Sequence, residues 1–408
     1  MRFCRFAATV FRVEVDELQR PHSASRSDEV WSHEAFVGDN QHQQVNTNNT
    51  MATIHAYAAK TPKGPLEPFE FDPGELGPDQ VEVKVTHCGV CHSDLSMVDN
   101  EWGLSSYPLV PGHEAVGTVV ALGSEAKRLK IGQRVGIGWT ASSCLSCPEC
   151  LSGHHNLCQY GQGTIVGRYG GFADRLRAQW TWTRPLPDAL DDSKTGPLLC
   201  GGVTVFTPFL EYDLSPTAKV GVIGIGGLGH MALQFANKWG CEVHAFTTSD
   251  SKEAEARQLG AHFVHNTRRD GALKSITRSL DLIISTVNVP LDIPALLDTL
   301  APQGRLHVVG AILKPMEIPA FGLIMGQKSV TGSPTGSPTA LDRMLAFSAR
   351  HSVVPVVEYF PMSKVNDALE HLRSGKARYR IVLVNEVPKP RTGSVPRSGE
   401  KPDAVLTE

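Results

Sequence analysis

Apolar and polar residues alternate in short runs through the first part of this chain. From Thr53 to about Ala178 such runs are separated by glycine and proline, as at residues 81–85, 117–121 and 171–174. A period of two is typical of strands that bury one face. This part of the chain is therefore predicted to be rich in β-structure with long loops.

The pattern changes after residue 219. Continuous apolar runs at residues 220–225, 243–246, 282–287 and 306–309 alternate with helical stretches such as 251–259. Strands that are buried on both faces appear as continuous apolar runs, and their alternation with helices is typical of parallel sheets with crossover helices. The sequence predicts an α/β fold in which a doubly wound parallel sheet follows a β-rich domain.

The first of these apolar runs leads into a glycine-rich turn. Residues 224–229 read Gly-Ile-Gly-Gly-Leu-Gly, and a helical stretch follows at 230–236. Gly224 allows a tight turn, Gly226 lets the backbone approach a pyrophosphate, and Gly229 permits close packing of the helix. The strand before and the helix after distinguish a dinucleotide-binding motif from a glycine turn without a ligand. The pattern predicts a nicotinamide dinucleotide site.

The residues after the next strand bear on the choice of nicotinamide cofactor. Proteins that bind NAD carry an acidic residue about 20 residues further on, where it binds the ribose 2′-hydroxyl. This chain has Thr247, Thr248, Ser249 and Lys252 there, and hydroxyl and ammonium groups can bind a 2′-phosphate. NADP is therefore predicted. The alternative is a polar helix N-cap with a solvated lysine, and Asp250 leaves NAD open.

Four cysteines form the strongest chemical signal in the sequence. Cys144, Cys147, Cys150 and Cys158 have the spacing C-x2-C-x2-C-x7-C. Such pairs present their sulfurs to one point, as a tetrahedral zinc site with Zn–S distances of about 2.3 Å requires. A disulfide cluster is the alternative and is less typical of a large enzyme-like chain. We predict a closed, structural zinc site.

Composition and charge restrict the partners. The chain has 408 residues, of which 41% are hydrophobic and 20% charged, and its formal net charge is -3. This length can form two or three domains, and the charge offers no basic surface for nucleic acid or an anionic membrane. The apolar run 220–236 is interrupted by glycines and is too short to span a membrane. Nine cysteines without a secretory signal favour a reducing, cytoplasmic location.

Both ends of the chain differ from its middle. Residues 1–50 lack sustained periodicity and end in the polar tract 41–50, which cannot bury enough apolar surface to order itself. Their acidic residues argue against a transit peptide, so a start codon assigned upstream of Met51 is the preferred interpretation. Residues 387–408 are rich in proline, serine and glycine and are predicted to be a disordered tail.

A second set of candidate metal ligands is spread along the chain. Cys91 opens the string Cys-His-Ser-Asp-Leu-Ser, His113 lies in Pro-Gly-His-Glu, and Cys200 lies in Leu-Leu-Cys-Gly-Gly. Each of them could be a core residue, because spacing alone does not bring them together.

These strings, together with Val-Gly-Ile-Gly-Trp-Thr at 135–140 and Gly-Lys-Ala-Arg-Tyr-Arg at 375–380, carry a family resemblance. Over residues 53–383 the chain resembles the zinc-dependent medium-chain alcohol dehydrogenases. Within them it is similar to the cinnamyl alcohol dehydrogenase group, and most to the bacterial NADPH-dependent broad-range aldehyde reductases. The resemblance implies a GroES-like catalytic domain interrupted by a Rossmann domain, with the active site in the cleft between them. The implied domains are a catalytic domain at 51–200 with a structural zinc lobe at 144–158, an NADP-binding domain at 201–336, and a return to the catalytic domain at 337–386.

The resemblance also implies how the site works. A catalytic zinc would be bound by Cys91, His113 and Cys200, with Glu114 as an exchange ligand, which makes two zinc ions per chain with the structural site. Zinc would polarise an aldehyde oxygen while NADPH delivers hydride. Asp94 would orient His113.

Proton transfer and cofactor contacts follow from the same resemblance. Ser93 occupies the relay position, but Ser96 stands where the horse-liver type of pattern often has histidine. The proton could pass from Ser93 through the cofactor ribose, or through His92, whose alternative role is contact with a cofactor phosphate. Trp102 is a candidate for the substrate pocket or for the core. The implied cofactor contacts are Ser93, Thr204, Gly224, Gly226, Gly227, Leu228, Gly229, Thr247, Thr248, Ser249, Lys252, Thr286, Gly310, Ser333, Pro334 and Thr335.

Three functions account for parts of this pattern. A zinc- and NADPH-dependent reductase of aldehydes to primary alcohols accounts for all of it, and oxidation of cinnamyl-type alcohols is the same chemistry in reverse. A zinc-free quinone or enoyl reductase leaves both sets of metal ligands unexplained, and a zinc-ribbon binding module leaves the dinucleotide motif unexplained. The expected partners are a small aldehyde or alcohol and a second copy of the chain in a homodimer, but neither nucleic acid nor a membrane.

Overall fold

The structure is a computed structural model that describes residues 53–385. The predictions made for residues 1–50 and 387–408 lie outside these residues. Within 53–385, no helix combines the length and the apolar character that crossing a membrane requires.

The elements are numbered in chain order. The strands are β1 (Ile54–Ala59), β2 (Leu66–Phe71), β3 (Gln80–Val90), β4 (Ala115–Leu122), β5 (Arg134–Ile137), β6 (Thr140–Ser142), β7 (Gln162–Gly163), β8 (Arg175–Gln179), β9 (Thr183–Pro185), β10 (Lys219–Ile223), β11 (Glu242–Thr247), β12 (Phe263–Asn266), β13 (Leu280–Ser285), β14 (Leu300–Val308), β15 (Ser329–Gly332), β16 (Val357–Pro361) and β17 (Arg380–Val384). The α-helices are α1 (His92–Asp99), α2 (Pro148–Leu151), α3 (Asp192–Thr195), α4 (Gly201–Glu211), α5 (Gly229–Trp239), α6 (Glu253–Gln258), α7 (Ile293–Thr299), α8 (Ala320–Ile324), α9 (Pro338–His351) and α10 (Val365–Arg373). Short 3-10 helices lie at His155–Leu157, Gly196–Leu199, Asp250–Lys252, Lys274–Ile276 and Met362–Lys364.

The first part of the chain forms a mainly antiparallel sheet with strand order β16-β17-β3-β4-β5-β9, and β8 also pairs with β3. Alternate residues of β3, namely Val81, Val83 and Val85, are at most 2% exposed and pack in one core with residues of β1, β4 and β17. The alternating pattern thus buries one face of the sheet, as predicted. The last two strands, β16 and β17, return to this sheet from the far end of the chain.

The predicted strand at residues 171–174 is wrong. These residues form only a single bridge, between Ala173 and Ala56. The backbone N–H of Gly171 donates to the carbonyl of Gly112, and that of Phe172 donates to Pro111. The N–H of Asp174 donates to the carbonyl of His55, and the carbonyl of Phe172 accepts from the N–H of Tyr57. The segment thus divides its backbone hydrogen bonds between the loop that precedes His113 and β1, and the strand β8 begins only at residue 175.

The second part forms the predicted parallel sheet, with strand order β12-β11-β10-β13-β14-β15. The helices α4, α5 and α9 cover one face, where Phe206, Phe235 and Leu345 share a core with Val220 and Val222 of β10. The helix α7 covers the other face. Burial on both faces explains why these strands were recognisable as continuous apolar runs.

All six parallel strands end at one edge of this sheet. Ile223 of β10 lies beside Phe246 of β11 and Ser285 of β13, and the same row continues through Val308 to Gly332. Ligands of open α/β sheets bind outside the carboxyl ends of the strands. The residues that follow the strands are therefore placed where a dinucleotide would bind.

The helix α9 bears on the predicted domain boundary at residue 336. Its residues Leu341, Met344 and Leu345 lie in the core that covers the parallel sheet. The boundaries at 200 and 336 stay predictions, and α9 packs with the parallel sheet although it follows residue 336.

Candidate active site and metal centres

The four closely spaced cysteines converge on one point. Their sulfur atoms lie within 4.8 Å of one another, with 3.5 Å between Cys144 and Cys158, 3.8 Å between Cys147 and Cys158, and 4.0 Å between Cys144 and Cys150. Four sulfurs about 2.3 Å from a tetrahedral zinc are about 3.8 Å apart. All four thiols are free, so the sulfurs surround a space of the size that zinc requires.

The backbone of this lobe prepares the sulfurs for a cation. The N–H of Cys147 donates to Cys144 Sγ over 3.3 Å, and the N–H of Cys144 donates to Cys158 Sγ over 3.4 Å. Hydrogen bonds from the backbone of Ser146 and Cys147 lower the pKa of Cys144 to about 6. The thiolate is the form that binds metal. The strands β6 and β7 pair across the base of the lobe and hold its two ends together.

The second set of candidate ligands is also brought together. Cys91 is the N-cap residue of α1, His113 and Glu114 immediately precede β4, and Cys200 is the N-cap residue of α4. One ligand atom from each of the four lies within 4.8 Å of the others, and all four residues are buried. Residues 109 positions apart thus form one cluster of two sulfurs, one imidazole and one carboxylate.

Asp94 holds two members of this cluster in place. It is the third residue of α1, where its Oδ2 accepts from the N–H of Cys91 over 2.9 Å. Its Oδ1 accepts from the N–H of Gly112 over 2.8 Å and lies 3.0 Å from His113 Nδ1. With Nδ1 bound to Asp94, the Nε2 of His113 points to Cys200 Sγ at 3.3 Å. A ligating histidine typically donates its second N–H to a carboxylate in this way.

The contacts within the cluster favour the thiolate form of one cysteine, Cys91, whereas the hydrogen bond with Cys91 and burial raise the pKa of Cys200 well above its usual value. The hydrogen bond from Cys200 lowers the pKa of Cys91 well below its usual value, although burial opposes this. Burial alone would lower the pKa of His113, but the charge and hydrogen bond of Asp94 raise it well above its usual value. Burial raises the pKa of Glu114 to about 7, against the influence of Arg380. The pKa values of these neighbouring buried groups thus depend on one another's charges.

The sequence interpretation missed Arg380, the first residue of β17. Its guanidinium donates to Glu114 Oε1 and, over 3.3 Å, to the carbonyl of Val90. Its side chain also lies against the glycine-rich turn, because a Cβ atom on Gly227 would come within 3.1 Å of Arg380 Cδ. The sequence did contain a signal for this contact, because Arg380 opens the apolar run 380–384. An arginine in a buried strand is expected to pair with a buried acidic group.

Only one of the two carboxylate oxygens of Glu114 has a hydrogen-bond partner among the described residues. Its Oε2 is buried without a hydrogen-bond partner among the described residues. A Cβ atom on Gly89 would lie 1.9 Å from this oxygen, so a larger residue would push it out of place. A buried carboxylate oxygen without a donor is costly unless a cation or water binds it. The cluster therefore fits a cation chemically as well as geometrically.

The candidate proton-relay residues lie beside the cluster but in different environments. Ser93 is half-buried, and its Oγ accepts from Cys91 Sγ over 3.7 Å. His92 is exposed. Ser96 is buried and donates to Glu101 Oε2 over 2.7 Å. Ser96, which stands at the usual histidine position, thus forms its hydrogen bond with Glu101 and not with the cluster.

Two half-buried tryptophans flank the cluster. The ring of Trp139 lies edge to face against His113 with 5.0 Å between centroids, and Trp102 packs on Trp139 at 6.0 Å. Trp102, a candidate for either the substrate pocket or the core, packs against the core of the β-rich part and contacts the site only through Trp139. Sequence reasoning gave Trp139 no role, although it lies only five residues before Cys144.

The glycine-rich turn has the expected geometry. Gly224 has a φ of +88°, and a Cβ atom on Gly229 would lie 1.7 Å from the carbonyl oxygen of Gly224. Gly226 faces open space, with nothing within 4 Å of an added Cβ. Leu228 is the N-cap residue of α5, whose N-terminus favours an anion. The turn thus leaves room for a pyrophosphate at a helix N-terminus.

The polar residues after β11 surround one corner of this site. Thr247 is buried, and its Oγ1 accepts from the N–H of Ser249 over 3.2 Å, whereas Thr248 is exposed. Lys252 Nζ donates to the carbonyl of Ile225 over 3.2 Å. The ammonium group therefore already lies at the glycine-rich turn.

Asp250 is bound away from this corner. Its Oδ1 accepts from Asn266 over 2.7 Å, and its Oδ2 lies 2.8 Å from Arg269. Hydrogen bonds from Asn266 and Arg269 lower the pKa of Asp250. The negative charge that left NAD open as an alternative is thus paired with Arg269.

The remaining predicted cofactor residues lie along the same sheet edge or at the start of α4. The hydroxyl of Thr286 lies 2.9 Å from the carbonyl oxygen of Ile223 and 3.0 Å from that of Gly224. A Cβ atom on Gly310 would lie 2.0 Å from the carbonyl oxygen of Val287. Thr204 donates to the carbonyl of Cys200 over 2.7 Å. Thr286 therefore supports the glycine-rich turn in addition to any contact of its own.

The segment that follows β15 completes this edge. Ser333 and Thr335 are half-buried and Pro334 is exposed. Asn156 donates to the carbonyl of Pro334 over 3.3 Å, which links the segment to the cysteine lobe.

Two family models match this chain. One, described as the alcohol dehydrogenase GroES-like domain, covers residues 77–188. The other, described as zinc-binding dehydrogenase, covers residues 227–350. The first lies on the β-rich part of the chain and the second on the parallel sheet and α9.

Individual proteins are similar over most of their length. The aldehyde reductase AdhA of Synechocystis sp. is 54% identical over 330 residues, which are 81% of this chain and 98% of that protein. The structure of a cinnamyl alcohol dehydrogenase of Sorghum bicolor has 38% identity and a TM-score of 0.77, covering 82% of this chain and 98% of that one. The CAD of Helicobacter pylori, in a complex with NADP(H), has 28% identity and a TM-score of 0.75, with coverage of 82% and 98%.

Proposed function

Because this chain belongs to the zinc-dependent medium-chain alcohol dehydrogenase family, we propose that it reduces aldehydes to primary alcohols with hydride from NADPH. The observation that carries the proposal is the buried cluster of Cys91, His113, Glu114 and Cys200. It combines with a dinucleotide-binding turn in the same compact unit of the chain. The similarity to an aldehyde reductase supports the direction of the reaction.

We assign two zinc ions to each chain. The Cys144, Cys147, Cys150 and Cys158 cluster has four protein ligands and no open position, which is typical of a structural site. The other cluster offers two thiolates and one imidazole, with the carboxylate of Glu114 as an exchange ligand, which leaves a place for substrate. The Oε2 of Glu114, which has no partner among the described residues, and the lowered pKa of Cys91 support a cation in this second cluster.

The chain's own residues define what happens at the catalytic site. When bound, zinc supplies a Lewis acid for the carbonyl oxygen and NADPH supplies the hydride. Cys91 and Cys200 would hold the metal as two thiolates, and Asp94 fixes Nδ1 of His113 so that Nε2 faces Cys200 and would be the ligating nitrogen. Arg380 binds Oε1 of Glu114 and so holds this carboxylate beside the other candidate ligands. Trp139 packs edge to face against the imidazole of His113, which is fully buried.

The alcohol product also needs a proton. Ser93 is the hydroxyl nearest to Cys91, so we assign it the role of proton donor to the alkoxide. His92, which is exposed, remains the alternative route for the proton. Ser96 does not serve this relay, because its hydroxyl is bound to Glu101.

We propose NADP(H) as the cofactor on three grounds. The corner after β11 has hydroxyl groups and Lys252 but no free carboxylate, since Asp250 is paired with Arg269. The open space at Gly226 fits the pyrophosphate that NAD(H) and NADP(H) share, which supports a dinucleotide at this turn. The structurally similar CAD of Helicobacter pylori is described in a complex with NADP(H).

The cofactor preference can be reversed or weakened by single changes. Lys252→Ala should lower kcat/KM for NADPH by about one to two decades if its contact with phosphate is partly buried, and should leave NADH unaffected. Thr247→Asp places a carboxylate where the 2′-phosphate would lie, so NADPH use should fall while NADH use holds or improves. Steady-state kcat/KM for both cofactors measures each effect.

Lys238→Ala provides the matched control, because Lys238 is an exposed lysine at the far end of α5. The Lys238→Ala substitution should change kcat/KM for neither NADPH nor NADH. Equal use of NADH and NADPH by the wild type, or equal losses of both on Lys252→Ala, would contradict the NADP assignment.

We also propose a homodimer that forms through the edge of the parallel sheet. Among the strands of residues 53–385, β15 pairs only with β14 and so lies at the edge of its sheet. Four large apolar residues that precede β15 in the chain are between 66% and 75% exposed, namely Leu313, Phe321, Ile324 and Met325. A sheet edge beside exposed apolar residues is typical of an interface.

Phe321→Glu should therefore convert the dimer to a monomer, since it places a charge in an apolar contact. Sedimentation or light scattering gives the mass directly. The control is Ile131→Glu, at a residue that is 60% exposed elsewhere in the chain. An unchanged mass for Phe321→Glu, or a monomeric wild type, would refute this interface.

The proposed reaction is tested by adding a panel of aldehydes to the full-length protein and following NADPH consumption. Aromatic, cinnamyl-type and short aliphatic aldehydes separate broad from narrow substrate use, and the matching alcohols with NADP test the reverse direction. Formation of the primary alcohol is expected. Consumption of NADPH with quinones or enones but with none of the aldehydes would favour the alternative reductase. The cytoplasmic location and the domain boundaries stay predictions.

A further inference from the structure

A buried network of polar side chains lies next to the proposed nicotinamide end of the cofactor site. His307 of β14 is 1% exposed. Its Nδ1 is 2.8 Å from Tyr212 Oη, and its Nε2 is 3.0 Å from Ser333 Oγ. The hydroxyl of Tyr212 donates to Thr331 Oγ1 over 2.8 Å. No role in the proposed reaction has been given to His307 or Tyr212.

The direction of the hydrogen bonds follows from the donors available. Burial lowers the pKa of His307 to about 4, so the ring is neutral at physiological pH and has one N–H. Tyr212 uses its only hydrogen on Thr331, so its oxygen accepts the hydrogen of His307 Nδ1. Thr331 Oγ1 lies 3.2 Å from the same Nδ1 and shares this hydrogen, since its own hydrogen is directed to the carbonyl of Leu306. His307 Nε2 is then an acceptor and receives the hydroxyl hydrogen of Ser333. This chain of bonds fixes the Ser333 hydroxyl and leaves its lone pairs free.

The network connects two structures that the reaction depends on. Tyr212 directly follows α4, the helix whose N-cap is the candidate ligand Cys200. Ser333 directly follows β15 at the sheet edge where the dinucleotide is expected. His307 bridges these two ends from the neighbouring strand, opposite Thr331.

The segment that Ser333 opens needs such support. Pro334 is exposed and lacks a backbone N–H, and Thr335 has a φ of +24°, a conformation that non-glycine residues rarely adopt. Apart from the bond of Asn156 to the carbonyl of Pro334, the described side-chain contacts of Ser333–Thr335 consist of the bond to His307.

We propose that His307 is a positioning residue, which holds Ser333, and through it residues 333–335, against the nicotinamide end of the cofactor. This rests on the proposed function, because it takes NADPH as the ligand of the sheet edge. His307 does not touch the reacting atoms. Its effect is to reduce the number of conformations that the segment must give up when the cofactor binds, so its loss weakens binding of the nicotinamide half only.

The test compares two ligands that share the adenosine 2′-phosphate and differ in the nicotinamide. Dissociation constants of NADPH and of 2′-phospho-ADP-ribose are measured by calorimetry for the wild type, His307→Leu and Ser333→Ala. Each variant should bind NADPH about 3- to 10-fold more weakly, as expected for one neutral hydrogen bond. Binding of 2′-phospho-ADP-ribose should not change. The double variant should lose no more than either single variant, because His307 acts through Ser333.

Further variants keep the test decisive. Tyr212→Phe removes only the remote hydroxyl and should weaken NADPH selectively even if His307→Leu does not fold. His307→Gln retains an acceptor and should restore part of the affinity. In kinetics, KM for NADPH should rise more than kcat falls, and KM for the aldehyde should change little.

Equal losses for both ligands in His307→Leu and Tyr212→Phe would show that the network only stabilises the fold, and unchanged NADPH binding would show that it does not act on the cofactor. Either result overturns the proposal while aldehyde reduction by the wild type stands. A wild type that binds 2′-phospho-ADP-ribose but not NADPH would refute the proposed cofactor and this inference together.

Discussion

Replacing Cys91 with serine should lower aldehyde turnover by more than about 100-fold while the protein stays folded. Loss of a residue that only orients a metal ligand typically costs about 10- to 100-fold in metal affinity or activity, and loss of a ligand should cost more. Cys91 supplies a sulfur to the buried cluster and is the N-cap of α1, where its N–H is held by Asp94. Serine keeps the backbone contact but is a poor ligand for zinc.

This result is measured as kcat with saturating NADPH and aldehyde, together with zinc content by elemental analysis. The wild type should contain two zinc ions per chain and the variant about one. The matched control is Cys88→Ser, because Cys88 is also fully buried, only three residues away, and outside the cluster. Full turnover by Cys91→Ser, or an equal loss in Cys88→Ser, would contradict the assignment of the catalytic ligands.

Replacing Cys150 with serine should instead destabilise the protein. Cys150 is buried, and its sulfur is 4.0 Å from that of Cys144 in the four-cysteine lobe. Zinc binding to a structural site contributes about 10–16 kcal/mol in isolated zinc-finger peptides, and the short elements α2, β6 and β7 add little support. Within a larger fold we expect a loss of about 4 kcal/mol or more in the free energy of unfolding.

Thermal and urea unfolding measure this loss, and a strong zinc chelator provides a second approach. Chelation should lower the Tm of the wild type and should have little further effect on Cys150→Ser beyond removal of the catalytic zinc. Cys241→Ser is the control, because Cys241 is buried in the core of the parallel sheet, away from both clusters. A Cys150→Ser protein as stable as the wild type would show that the lobe does not depend on a metal.

Local patterns in the sequence predicted much of the fold and part of the site. The dinucleotide turn was recognisable because its strand, glycines and helix are contiguous, and the structure gives Gly224 the φ of +88° that such a turn uses. The four cysteines lie within 15 residues, so their convergence followed from spacing. The doubly wound sheet followed from continuous apolar runs, which reflect burial on both faces.

Other features depend on contacts between distant parts of the chain. Arg380 is 266 residues from Glu114, and nothing in the local pattern of β17 says which buried group it binds. His307 looks like any polar residue in a strand until β14 and β15 are paired and α4 is packed against them. The run 171–174 has the alternation of a strand, but the N–H groups of Gly171 and Phe172 donate to the loop before His113, and that of Asp174 donates to β1. The spacing of Cys91, His113 and Cys200 did not predict that they form one cluster, and only the family resemblance implied it.

The central claim is that the Cys91, His113 and Cys200 site reduces aldehydes with NADPH through a bound zinc ion. The most direct measurement is the rate of NADPH oxidation with one good aldehyde substrate, followed in three states of one sample. These are the purified protein, the protein after zinc removal verified by elemental analysis, and the protein after zinc is restored. The rate should fall to near background when the catalytic zinc is lost and should return with zinc. An undiminished rate in protein free of zinc would contradict the claim.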